Sequence, residues 1–127
     1  MEQQQKDFLK GILELPSPSG FEQPAARLWR EYAKNYADEV KTDVHGNSIA
    51  IKKGKTERKI MLSGHIDEIG LMVVHIDKEG FLSIASIGGV DAVIVPGLRF
   101  NGHGKNGPIR AVAGKKAIHL MEPSERD

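Results

Sequence analysis

The sequence contains no cysteine. That excludes disulfides and thiolate-held metals, so any metal would have to be bound by histidine and carboxylate, and a cytoplasmic location is the default expectation. Long hydrophobic runs are also missing, the longest apolar stretches falling far short of the roughly 20 residues that span a bilayer. Nor does one sign of charge dominate. Eighteen Lys and Arg stand against seventeen Asp and Glu, a formal charge of +1, which gives no electrostatic case for a nucleic acid or an anionic membrane as partner. The opening Met1-Glu2-Gln3-Gln4-Gln5 is polar and lacks the basic-then-apolar order of a secretory signal. There is no internal repeat and no low-complexity segment. What remains is 127 residues, 39% hydrophobic and 28% charged, too apolar for a disordered chain and enough for one modest domain or a portion of a larger one.

The patterning changes along the chain. Phe8, Leu9, Ile12, Leu13 and Leu15 form a helical stripe over Gln3 to Leu15, ended by Pro16. Pro16-Ser17-Pro18-Ser19-Gly20 is a rigid connector. Ser19 and Glu22 have capping-box spacing for a second helix reaching about Tyr36, with Phe21, Ala25, Leu28, Trp29 and Tyr32 on its apolar face and Pro24 tolerated in its first turn. Strands are expected at Glu39 to Thr42 and Ser48 to Ile51, around the turn Asp43-Val44-His45-Gly46-Asn47. A buried strand is expected at Ile60 to Gly64. From Gly70 the pattern is all-β: Leu71 to Ile76 and Phe81 to Ile87 around Asp77-Lys78-Glu79-Gly80, then short strands at Val93 to Val95, Leu98 to Phe100 and Ile109 to Ala113. Such spacing suggests a small barrel or sandwich.

The chemistry concentrates in Ser63-Gly64-His65-Ile66-Asp67-Glu68, at the carboxyl end of the expected Ile60 to Gly64 strand. Alternate strand residues share a face, so His65 and Asp67 point one way while Ile66 points toward the core. A neutral imidazole is a good zinc ligand, and a nearby carboxylate fixes its tautomer and raises its basicity. The plain alternative is a histidine tied to a neighbouring carboxylate for structural reasons. His75-Ile76-Asp77 repeats the tripeptide, but it runs into a hairpin turn and reads as surface β-structure. Glu68 reads mainly as a hinge residue, with an acid or a hydrogen-bond acceptor behind the site as the alternatives, His45 as an exposed turn residue and His103 as part of a flexible glycine-rich loop; His119 stays open. Gly88-Gly89 and Gly102-His103-Gly104 are turn glycines, since no helix N-terminus follows to receive a phosphate. Ser17, Ser19 and Ser63 lack an arranged base for nucleophilic catalysis.

Three segments carry a resemblance: Leu15-Pro16-Ser17-Pro18-Ser19-Gly20-Phe21-Glu22, Asp43-Val44-His45-Gly46-Asn47 and Gly64-His65-Ile66-Asp67-Glu68-Ile69-Gly70. In order, they resemble the tetrahedral (TET-type) metallo-aminopeptidases, the glutamyl-aminopeptidase-like group of co-catalytic zinc exopeptidases, some of which bear an endo-1,4-β-glucanase label. Weaker matches at Ile87-Gly88-Gly89 with Asp91, Pro96-Gly97, Gly107-Pro108-Ile109, Gly114-Lys115-Lys116 and His119-Leu120 extend the likeness along the chain. Leu98-Arg99-Phe100 departs from the usual pattern.

The resemblance implies an α/β fold. Residues 1–69 would be the N-terminal part of a metallopeptidase α/β sandwich, 70–120 an inserted β-barrel-like dimerisation subdomain, and 121–127 the start of the return to the catalytic domain. It also implies that His65 is a metal ligand and Asp67 the catalytic carboxylate beside it, in an enzyme that uses two divalent ions, zinc or cobalt, to remove N-terminal residues from peptides. Homo-oligomers, up to dodecamers, would form through the β subdomain. The family's remaining ligands and its glutamate base fall beyond Asp127, so the isolated chain is expected to be inactive. Two other readings stand beside this one: a non-catalytic β-rich oligomerisation module, and an endoglucanase-type glycoside hydrolase, for which no flanking carboxylate pair is identifiable.

Overall fold

A computed structural model describes residues 1–116, His119, Met121 and Glu122. It contains two helices and three separate two-stranded antiparallel sheets. The expected segment 121–127, apart from Met121 and Glu122, and Leu120 of the His119-Leu120 match lie outside the described residues. Among the described residues no helix is long and apolar enough to cross a membrane.

Helix α1 spans Gln3–Glu14. Its start is fixed by the Glu2 amide, which donates to Oε1 of Gln5 at 2.9 Å. It stops at Leu15, whose extended backbone (ψ 133°) is the conformation that a following proline enforces. Helix α2 spans Gln23–Ala33, with Pro24 in its first turn, where the missing amide costs nothing. It ends three residues short of Tyr36, in turns closed by the amides of Asn35, Tyr36 and Ala37. The helices meet where Gly11 leaves room: a Cβ there would lie 3.2 Å from Cδ2 of Leu28. Phe8 stacks on Tyr32 nearby, ring centroids 3.9 Å apart. Ala25 and Ala26 are buried, and Arg30 donates to the Ser48 hydroxyl at 2.9 Å, tying α2 to the first sheet.

Strands β1 (Glu39–Thr42) and β2 (Ser48–Ile51) pair in the register Glu39↔Ile51 to Thr42↔Ser48. Asp43 holds their turn by accepting from the amides of His45 and Asn47 and from the Asn47 side chain, while Gly46 supplies a positive φ of 90°. Asp38 closes the open end, accepting from the Lys53 amide and the Lys52 ammonium.

Strands β3 (Gly70–Ile76) and β4 (Leu82–Ile87) form the next hairpin, irregular between Val73 and His75. Its turn repeats the earlier device, with Asp77 accepting from the amides of Glu79 and Phe81 and Gly80 at φ 88°. Strands β5 (Arg99–Gly104) and β6 (Gly107–Val112) form the last hairpin. The chain divides into two compact units, Met1–Gly89 and Val90–Asp127.

Three expectations about strands and loops fail. Residues 60–64 are not a buried strand: Ile60, Met61 and Leu62 are 90%, 88% and 94% exposed. A buried strand needs a neighbour to complete its ladder and cover its faces, and no described segment pairs with this one. Residues 93–95 form turns instead of a strand, because the Asp91 carboxylate and carbonyl capture the amides of Val93 and Ile94. His103 is an exposed residue of β5, opposite Pro108, not part of a loop.

Candidate metal-ligand site

The His65 segment is placed by a contact that sequence patterning does not reveal. The connector after α1 runs parallel to the stretch before β3, with Pro18 bridged to Glu68. The Glu68 amide donates to the Ser17 carbonyl at 2.9 Å, and the Ser19 amide donates to the Glu68 carbonyl at 3.3 Å. The Glu68 side chain adds a third link, accepting from the Ser17 amide at 3.0 Å. Ser17 is buried beneath this clamp. Pro18 packs so closely on Gly70 that a Cβ at Gly70 would lie 2.8 Å from the proline Cβ. Two prolines stiffen the connector, so little entropy is lost when it docks.

His65 and Asp67 touch, although residues 65–67 do not form the strand on which the expectation of a shared face rested. Nδ1 of His65 is 3.0 Å from Oδ1 of Asp67 and 3.0 Å from the Asp67 backbone carbonyl. Both partners are acceptors, the carboxylate in its ionised form, so Nδ1 carries a proton and, in the neutral imidazole, the lone pair falls on Nε2. The imidazole is 86% exposed, leaving Nε2 open to solvent. Asp67 is more enclosed. Its second oxygen, Oδ2, accepts from the Ser19 hydroxyl. That hydrogen bond, and after it the one from His65, holds the Asp67 carboxyl below the usual aspartate range.

Ser19 therefore does not cap α2, contrary to the capping-box expectation. The α2 cap position is Glu22, whose carboxylate accepts from the Gly20 amide. Glu68, expected mainly as a hinge residue and alternatively as a hydrogen-bond acceptor, accepts from the Ser17 amide and so fastens the connector. His45 is exposed in its turn and His75 lies exposed on β3, both as expected.

A carboxylate behind Nδ1 with a bare Nε2 in front is the arrangement by which proteins orient a metal-binding histidine. The donor set fits one coordination position. It does not make a closed centre, since among the described residues no group of three or more His, Asp and Glu is placed to hold an ion, and three protein ligands are the usual catalytic minimum for zinc.

The sequence pattern of the family described as M42 glutamyl aminopeptidase matches residues 46–127, well over half of the chain and including this site. This chain belongs to the M42 glutamyl aminopeptidase family. It is 45% identical over 97 residues to a lysyl aminopeptidase of Pyrococcus furiosus, an alignment covering 74% of this chain and 28% of that protein. Its structure resembles a TET aminopeptidase from a marine sediment thaumarchaeon with a TM-score of 0.88 at 33% identity, covering 98% of this chain and 35% of the other. It also resembles the TET1 peptidase of Pyrococcus horikoshii, described as assembling into a tetrahedron or a large octahedral shell, with a TM-score of 0.75 at 30% identity over 95% of this chain and 36% of that one. The chain thus spans no more than about a third of the length of these relatives.

Proposed function

We propose that this chain is the N-terminal portion of a two-metal aminopeptidase, to which it contributes one metal ligand, His65, and the carboxylate that orients it, Asp67. One observation carries the reading: in a chain of the M42 family, Asp67 fixes the His65 proton on Nδ1 and leaves Nε2 bare toward solvent. A bound pair of zinc or cobalt ions would supply water activation and polarisation of the scissile carbonyl. The residues of this chain would present the imidazole in the correct tautomer and hold it still. Peptides with a free N-terminus are the proposed substrates and the cytoplasm the proposed location. Residues 1–69 would belong to the catalytic α/β sandwich, 70–120 would form an inserted β-barrel-like subdomain that joins copies of the protein, and 121–127 would begin the return to the catalytic domain. The short hairpins β3–β4 and β5–β6, with exposed Val74, Ile76, Phe81, Ile109 and Val112, support an assembling role for that subdomain.

The test is hydrolysis of aminoacyl-p-nitroanilides with added Zn²⁺ or Co²⁺. The 127-residue chain alone is expected to show no turnover, because one histidine and one aspartate cannot retain a catalytic ion. Robust turnover by the purified chain would overturn the inactivity. Light scattering checks the assembling role: self-association that rises with concentration is expected, and a clean monomer counts against it.

A further inference from the structure

We propose that Ser19 is a positioning residue for His65, acting through Asp67. The inference rests on the reading of His65 as a metal ligand and extends it to a residue in the connector between the two helices. Asp67 has two carboxylate oxygens with separate duties: Oδ1 faces Nδ1 of His65, and Oδ2 accepts from the Ser19 hydroxyl. A carboxylate held at one oxygen can swing about its side-chain torsions, whereas one held at both has a single orientation. Ser19 thereby determines whether Oδ1 stays where it keeps the imidazole proton on Nδ1.

The serine is itself fixed. Its amide donates to the Glu68 carbonyl, and the preceding residues are bound to Glu68 through the Ser17 amide and carbonyl. The hydroxyl therefore arrives on a backbone already anchored to the residue next to Asp67. The chain of restraint runs from the clamped connector to the Ser19 hydroxyl, to the Asp67 carboxylate, to Nδ1, and ends at the bare Nε2. No other described side chain holds Asp67 Oδ2. A serine with no base beside it, idle as a nucleophile, has a purpose here as the outermost member of a hydrogen-bond relay that orients a ligand.

The readout is the tautomer of His65, measured by long-range ¹H–¹⁵N NMR of the ring on the 127-residue chain without metal, at pH 9, where imidazoles are neutral. In the unsubstituted chain the Nδ1–H form is expected to predominate. Ser19→Ala is expected to shift the ratio toward Nε2–H by roughly fivefold, the scale of losing one ordinary hydrogen bond, with the β1–β2 hairpin amides unmoved. Ser19→Thr, which keeps the hydroxyl, is expected to restore the ratio. A folded Ser19→Ala chain with an unchanged tautomer overturns the proposal. So does an Nε2–H majority in the unsubstituted chain, an outcome that does not depend on any variant folding. A failure to find peptidase activity in the longer parent protein would sink the aminopeptidase reading and leave the tautomer result standing.

Discussion

At the residue scale, the determining contacts join positions far apart in sequence. Ser19 and Asp67 are 48 residues apart, and Ser17 reaches Glu68 across 51. Gly70 sits at the tightest point of this clamp, facing the rigid ring of Pro18. Gly70→Ala is expected to destabilise the fold by about 1–3 kcal/mol, as overpacking does against a group that cannot rotate away. Urea unfolding would measure it, and a loss below about 0.5 kcal/mol, the ordinary range for surface substitutions, would show that the connector is free to shift. The turn aspartates are a second lever. Asp43 is held below the usual aspartate range chiefly by the Asn47 side chain, and Asp38 chiefly by the Lys53 amide, then by Lys52. The folded hairpin thus binds these protons less readily than the unfolded chain does. Its stabilisation is complete above the ordinary aspartate value of about 3.9 and is lost as pH falls through the depressed folded values. Cross-strand contacts between β1 and β2 are expected to persist at about pH 5 and to fade only once the pH has fallen below the ordinary aspartate value of about 3.9. Melting of the hairpin between neutral pH and pH 5 would contradict this.

At the scale of elements, hairpins were readable and the lone strand was not. The bounds of β1 and β2 follow from sequence because their turn is self-contained: Asp43, Gly46 and Asn47 satisfy one another within five residues. The Asp77–Gly80 turn works in the same way. Residues 60–64 carry an equally apolar pattern but no local partner, and a strand is a property of two segments. Their exposure leads to a prediction that separates this chain from a longer protein of the same family. Leu62→Gln is expected to alter the stability of the 127-residue chain by less than about 0.5 kcal/mol, as for any exposed side chain. In a longer parent that covers this segment, the same substitution should cost stability and activity together. Equal tolerance in both would argue that residues 60–64 never join a sheet.

At the scale of the whole molecule, the described residues bury little. Ala25, Ala26 and Met121 are its buried apolar residues, while Ile60, Met61, Leu62, Phe81 and Val93 are each more than 70% exposed. Area removed from water is the main favourable contribution to folding, and here it is small. The isolated chain is therefore expected to unfold at low urea concentration over a broad transition, and a steep, high-denaturant transition would show that more surface is covered than the hairpins and helices account for.

The sequence by itself determined the helices, the first two hairpins, the family and the pairing of His65 with Asp67, because each rests on residues within a few positions of one another; of the third hairpin it showed only the outer ends, at Leu98 to Phe100 and Ile109 to Ala113. Only the tertiary structure decided that Pro16-Ser17-Pro18-Ser19 lies against Glu68, that Ser19 serves Asp67 instead of capping α2, and that Ile60, Met61 and Leu62 stand in solvent. Those outcomes depend on which distant segments meet, and hydrophobic periodicity records only that a segment has a face to cover, not what covers it.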